Sequence, residues 1–134
     1  MRAQFLDPLQ VERTAYGRWR LLADFRYYSA LLGRIVTIPQ GFLTDFASVP
    51  RLPLMFWLVG DTAHPAAVVH DYLYRTRASS RAVADAVFRE AAELGKEPAW
   101  RVWCMWAGIR AGGWWTWYRI GRRVAQPARG RRAP

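Results

Sequence analysis

The sequence predicts an α+β fold: an N-terminal antiparallel β-meander, a three-helix C-terminal half and a basic tail. Three observations predict it. Residues 19–28 and 34–38 are rich in β-favouring side chains. From His64 onward the apolar residues recur at helical spacing instead. Past residue 123 the chain turns to Arg, Ala, Gly and Pro, a composition with no apolar face to bury. These readings give a single domain over residues 1–123 and a flexible basic tail over 124–134.

The extended half runs from Leu9 to Thr44, punctuated by Gly17 and by a Leu31-Leu32-Gly33 link. Pro39-Gln40-Gly41 is a turn signal, because Pro presets φ and Gly tolerates a positive one. It delivers the chain into an ordered loop over residues 42–50, and Pro50, Pro53 and Gly60 keep the next stretch irregular. The first helix is expected over residues 64–75, with Ala66, Val69 and Leu73 spaced along one face, His70 and Tyr74 beside them, and Pro65 in the first turn. Ser79 or Ser80 caps a second helix carrying Ala84, Val87, Phe88, Ala91 and Leu94, ended by Gly95. The short Thr76-Arg77-Ala78 link makes the two helices antiparallel neighbours. A third helix starts near Pro98 and is expected to stop at Gly112-Gly113, with Trp114 opening a further helical stretch to residue 119.

At 134 residues, 52% hydrophobic and 15% aromatic, the chain has the material for one core and is not a disordered segment. The lone Cys104 offers no internal disulfide or thiolate metal site. The first residues, MRAQFLDPLQVERT, contain no apolar run of signal-peptide length, and no stretch has the roughly 18 uninterrupted apolar residues of a spanning helix. The expectation is synthesis in a reducing cytoplasm. Net charge is +10, and residues 98–134 hold eight Arg and no acid. Such a block attracts polyanions, or serves simply as a solvated, solubilising tail.

One constellation is chemically suggestive. His70 and Tyr74 lie four residues apart on the apolar face of the first helix, and a polar pair aimed at a core needs partners. Asp71 lies about 100° further round, at the edge of that face. Asp85, on the next helix, can reach His70 if the helices pack antiparallel. A carboxylate on one imidazole nitrogen fixes the tautomer and leaves the other nitrogen free as a base. The same residues are also read as a core histidine satisfied by Asp85, with Asp71 a surface acid paired to Arg75. Asp45 reads as a ligand or an Asx-turn former. Ser48 has no neighbouring base, and His64 stands at a helix start.

Phe42-Leu43-Thr44-Asp45-Phe46-Ala47-Ser48-Val49-Pro50-Arg51, His70-Asp71-Tyr72-Leu73-Tyr74, Arg81, Ala84-Asp85, Phe88 and Gly108-Ile109-Arg110 occur in that order. Over about residues 40–115 the chain thus resembles the phage- and prophage-associated family catalogued as domain of unknown function 1353. That resemblance implies a bacteriophage or prophage origin and supplies no activity. More locally, His-Asp-x-x-Tyr followed by Ala-Asp-x-x-Phe is similar to the phospholipase A2 pattern, in particular its disulfide-free parvoviral version. That resemblance implies that His70 activates a water, Asp85 orients His70, Tyr74 braces the network and Asp71 ligates Ca²⁺. In place of the family's glycine-rich calcium loop this sequence offers only Leu58-Val59-Gly60-Asp61 or the Asp45 loop, so Asp71 and Asp45 are the metal-ligand candidates.

The C-terminal part interleaves Trp100, Trp103, Trp106, Trp114, Trp115, Trp117 and Tyr118 with Arg101, Arg110, Arg119, Arg122 and Arg123. Trp103 and Trp106 are expected to close the core, and the others to meet an anionic membrane surface, other phage proteins or, less favoured, nucleic acid. The expected function is a bacteriophage accessory protein with a Ca²⁺-dependent, phospholipase A2-like esterase site. The alternative is a non-enzymatic virion or tail-assembly component that binds its neighbours through the Trp/Arg segment.

Overall fold

A computed structural model describes residues 1–14, 18–44, 64–95 and 98–125. Among these described residues six short strands, β1 (Gln4–Phe5), β2 (Val11–Arg13), β3 (Trp19–Leu21), β4 (Phe25–Ser29), β5 (Arg34–Ile38) and β6 (Leu43–Thr44), precede three helices, α1 (His64–Thr76), α2 (Arg81–Glu93) and α3 (Ala99–Ala125). The fold is α+β, as the periodicities predict. All strand pairs are antiparallel, and they form two three-stranded sheets, ordered β1-β4-β5 and β2-β3-β6.

Alternation decides which side of the first sheet is covered. In β4, Phe25, Tyr27 and Ser29 are buried while Arg26 is exposed, and across the ladder Val36 lies opposite Tyr27 and Ile38 opposite Phe25. Gly33, at φ +65°, turns β4 into β5, with its N–H on the Ser29 carbonyl at 2.9 Å. The Pro39-Gln40-Gly41 turn forms as expected, with Gly41 at φ +86° and the Phe42 N–H on the Pro39 carbonyl. The loop expected over 42–50 and the irregular stretch beyond it fall, past β6, outside the described residues.

The sheets and helices close one core. Leu21, Phe25, Val36 and Ile38 from the strands meet Val69 and Leu73 from α1, Val87 and Phe88 from α2, and Val102, Met105 and Ile109 from α3. Glu90 of α2 joins the layers: one carboxylate oxygen accepts from the Tyr27 hydroxyl at 2.8 Å, the other from the Leu31 N–H at 3.0 Å.

Ser80 is the N-cap of α2, its Oγ accepting from the Val83 N–H at 3.2 Å. Leu94, expected on the buried face, lies past the helix end and is 45% exposed.

Two expectations for the third helix are corrected. α3 runs unbroken through Gly112-Gly113, because packing against α2 compensates a local preference of about 1 kcal/mol per glycine. Trp103 is 53% exposed; Val102, Met105 and Ile109 close the core instead, and Trp106 lies half-buried under Arg89. Among the described residues no helix is long and apolar enough to cross a membrane.

A buried polar hub as candidate active site

Three helices each contribute to one carboxylate. His70 and Tyr74 lie one turn apart on α1, so both side chains point the same way, toward α2. Asp85 sits one turn into α2, directly after the buried Ala84, on the face α2 presents to α1. Its Oδ1 meets His70 Nε2 at 2.7 Å and accepts from the Tyr74 hydroxyl at 2.5 Å. Its Oδ2 accepts from Arg110 Nη1 of α3 at 2.9 Å, with Arg81 Nε 4.0 Å away. Among the described residues these four polar contacts of the carboxylate are all with donors or cations.

The sequence-level candidates His70, Tyr74 and Asp85 are thus brought together, and each is fully buried. Burial by itself would raise the Asp85 pKa, but the hydrogen bonds from His70, Tyr74 and Arg110 outweigh it and hold the carboxyl below its ordinary value. Tyr74 moves the opposite way: burial and the bond to the Asp85 carboxylate push its phenol well above the usual range, so it remains a donor. Because Asp85 accepts, the neutral imidazole carries its proton on Nε2 and leaves the Nδ1 lone pair open. Nδ1 is buried and meets no hydrogen-bond partner among the described residues.

Aromatic contacts hold the imidazole in place. The Tyr74 ring lies 4.1 Å from it and Phe88 meets it edge-on at 5.4 Å. Trp117 of α3 closes over Tyr74 at 5.1 Å, and Arg77 stacks 3.5 Å over Trp117 while donating to its backbone carbonyl.

Gly113 makes this approach feasible. A Cβ there would sit 2.8 Å from the Tyr74 hydroxyl and 3.6 Å from Arg81 Nη2. The missing side chain lets Arg81 reach the α3 backbone, where it donates to the carbonyls of Ile109 and Arg110.

Asp71 departs from its sequence reading. It is 2% exposed, not a surface acid, because α1 is covered on that side as well and residues 66–71 form an unbroken buried run. The expected pairing with Arg75 does form, at 3.0 Å. The carboxylate thus already holds a guanidinium. Ca²⁺ takes six to eight oxygens, whereas no group of three His, Cys, Asp or Glu side chains that could hold a metal occurs among the described residues. The described residues do not by themselves make a calcium shell. The other candidate ligand, Asp45, and Ser48 lie outside the described residues, as does the side chain of His64.

Two members of the hub were not placed there from sequence, and Arg110, expected in the outward Trp/Arg segment, turns its guanidinium to Asp85 instead. Arg81 is four residues before Asp85, a spacing that signals an ion pair on one helical face. Arg110 carried no such signal, since its contact depends on how α3 aligns with α2.

Fold and site together define a class: a small α+β protein whose helical layer is bolted by a buried His–Asp–Tyr hub with two arginines on its acid. The chain belongs to the family described as "Protein of unknown function (DUF1353)", whose model matches residues 19–109. The match begins at β3, earlier than the span expected from sequence, takes in every hub residue on α1 and α2, and stops just before Arg110. No curated protein and no solved structure matches the chain.

Proposed function

We propose that this chain is a bacteriophage or prophage accessory protein in which His70 activates water for hydrolysis of a membrane-lipid ester. The observation that carries the reading is the division of labour on the imidazole. Nε2 is committed to Asp85, whereas Nδ1 is buried and has no hydrogen-bond partner among the described residues, which leaves it available as the base in the neutral ring. A buried acceptor left without any partner costs about 1–3 kcal/mol, and among the described residues packing alone supplies none for Nδ1.

In this reading Nδ1 takes a proton from water as the oxygen attacks the ester carbonyl. The C–O bond then breaks, and the leaving alkoxide receives that proton from the imidazolium. Asp85 stabilises the imidazolium, while Tyr74 and Arg110 keep Asp85 ionised and in place. The pattern His-Asp-x-x-Tyr then Ala-Asp-x-x-Phe, similar to phospholipase A2, supports a lipid ester as the substrate.

The test is fatty-acid release from anionic liposomes, with added Ca²⁺ and with chelator. Wild-type protein is expected to release fatty acid, and His70→Ala to lower the rate about a hundredfold or more. Absence of release under both conditions, or an unchanged rate in His70→Ala, overturns the reading.

A second reading is favoured by one observation, the complete burial of His70, Tyr74 and Asp85. It makes the hub a structural bolt in a non-enzymatic virion or tail-assembly component that binds neighbouring proteins through the Trp/Arg segment. Its mark is stable incorporation into purified virions together with no ester hydrolysis.

A further inference from the structure

α3 carries apolar side chains on two opposite sides, one buried and one exposed. Residues advance about 100° per step round a helix. Val102, Met105, Ile109 and Gly113 therefore share the face turned to the core, and all four are buried. Trp100, Trp103, Trp114 and Tyr118 line the opposite side, with Trp115 beside them. They are 60%, 53%, 48%, 63% and, for Trp115, 58% exposed. The ridge from Trp100 to Tyr118 is about 27 Å long at 1.5 Å per residue.

We infer that this outer face of α3 is a docking surface for an anionic lipid bilayer, on which the helix lies flat in the headgroup region. Charge argues for that occupant. Residues 98–134 contain eight Arg and no Asp or Glu. Arg119 is exposed beside Tyr118, and the Arg101 guanidinium lies 5.8 Å from the Trp100 ring. Trp and Tyr favour the boundary between an apolar phase and water, and Arg pairs with lipid phosphate.

Ring geometry argues against a base-stacking platform. Trp114 and Trp115 are inclined at 88° and Trp114 and Tyr118 at 79°, so these rings lack the parallel faces that successive bases require. Pairing with a second copy through the same face would set one arginine block against another, with no acid in the segment to offset it. The helix is not apolar enough to cross a membrane, so it rests on the surface. The surface stands independently of ester hydrolysis at His70.

The experiment uses the full chain and two vesicle types: phosphatidylcholine alone, and two parts phosphatidylcholine to one part phosphatidylglycerol. Wild-type protein is expected to co-sediment with the anionic vesicles only, with tryptophan emission moving to shorter wavelength and quenched by brominated acyl chains. Added salt weakens the binding. Trp103→Ser with Trp114→Ser, at two exposed positions, is expected to lower the partition coefficient roughly tenfold or more.

Three results overturn the inference: no wild-type binding to anionic vesicles, equal binding by the double variant, or unquenched emission in bound wild-type protein. The quenching measurement needs no variant, so a misfolded double variant leaves the test intact. Fatty-acid release from the same vesicles is read separately; binding without release removes the esterase alone.

Discussion

At the residue scale, Asp85 is where the helices meet, and its loss has a calculable sign. Asp85→Ala leaves a buried imidazole N–H, a buried phenol and the Arg110 guanidinium without their acceptor. A loss of about 3 kcal/mol is expected, seen as a melting temperature lower by about 10 °C in thermal denaturation. The folded carboxyl titrates below its unfolded value, so its stabilisation is complete above the ordinary carboxylate pKa and disappears as pH falls through the folded value. Asp85→Asn should therefore flatten the acid limb of the stability profile below about pH 4. Gly113 is the second decisive residue. Alanine improves helix propensity by about 1 kcal/mol, yet its methyl would press on the Tyr74 hydroxyl, where overpacking costs about 1–3 kcal/mol. Gly113→Ala is expected to be destabilising on balance, and Tyr74→Phe in the same chain to recover part of the loss; additive free energies in that double-mutant cycle would exclude the contact. Of these residues, the His70, Tyr74 and Asp85 grouping was legible, because four-residue spacing and a short interhelical link are local facts. Arg110 and Gly113 were not, since nothing local tells which turn of α3 lies over α2.

At the element scale, α1 is the least typical helix. An amphipathic reading put Asp71 at its edge, but the strands β5 and β6 pack on it as well as α2 and α3, so the carboxylate is drawn inside while its partner Arg75 stays exposed. The aromatic edge of Phe42 on Tyr72, 5.5 Å between rings, marks that second contact. α2 is the best-announced element, since its cap Ser80 and its apolar positions are all short-range signals. Its tie to the sheet is long-range: Glu90 binds Tyr27 and Leu31 from a distant part of the chain. Glu90→Ala is expected to cost about 2 kcal/mol and to speed hydrogen exchange at the Leu31 amide. Unchanged exchange there would separate the hairpin from the helix layer. α3 shows why glycine is a poor stop signal alone: a Gly-Gly pair reads as a terminus until a neighbouring side chain occupies the space it leaves.

At the scale of the whole molecule, chemistry is segregated along the chain. The polar hub is enclosed by α1, α2 and α3, while the aromatic ridge and most of the excess positive charge lie on or after α3. The two lipid-directed proposals thus draw on different faces and stand or fall separately. The sequence by itself determined the α+β division, the turns at Gly33 and Gly41, a serine cap at position 79 or 80 and the facing of His70, because each follows from backbone preferences or periodicity within a few residues. Tertiary structure alone decided that strands separated along the chain sort into two sheets, that Asp71 is buried, that Trp103 faces outward and that Arg110 of α3 reaches the carboxylate His70 holds. The physical reason is the same in every case: a helix or strand specifies its own faces, but which neighbour covers each face is a competition among surfaces distant in sequence, settled only when the core closes.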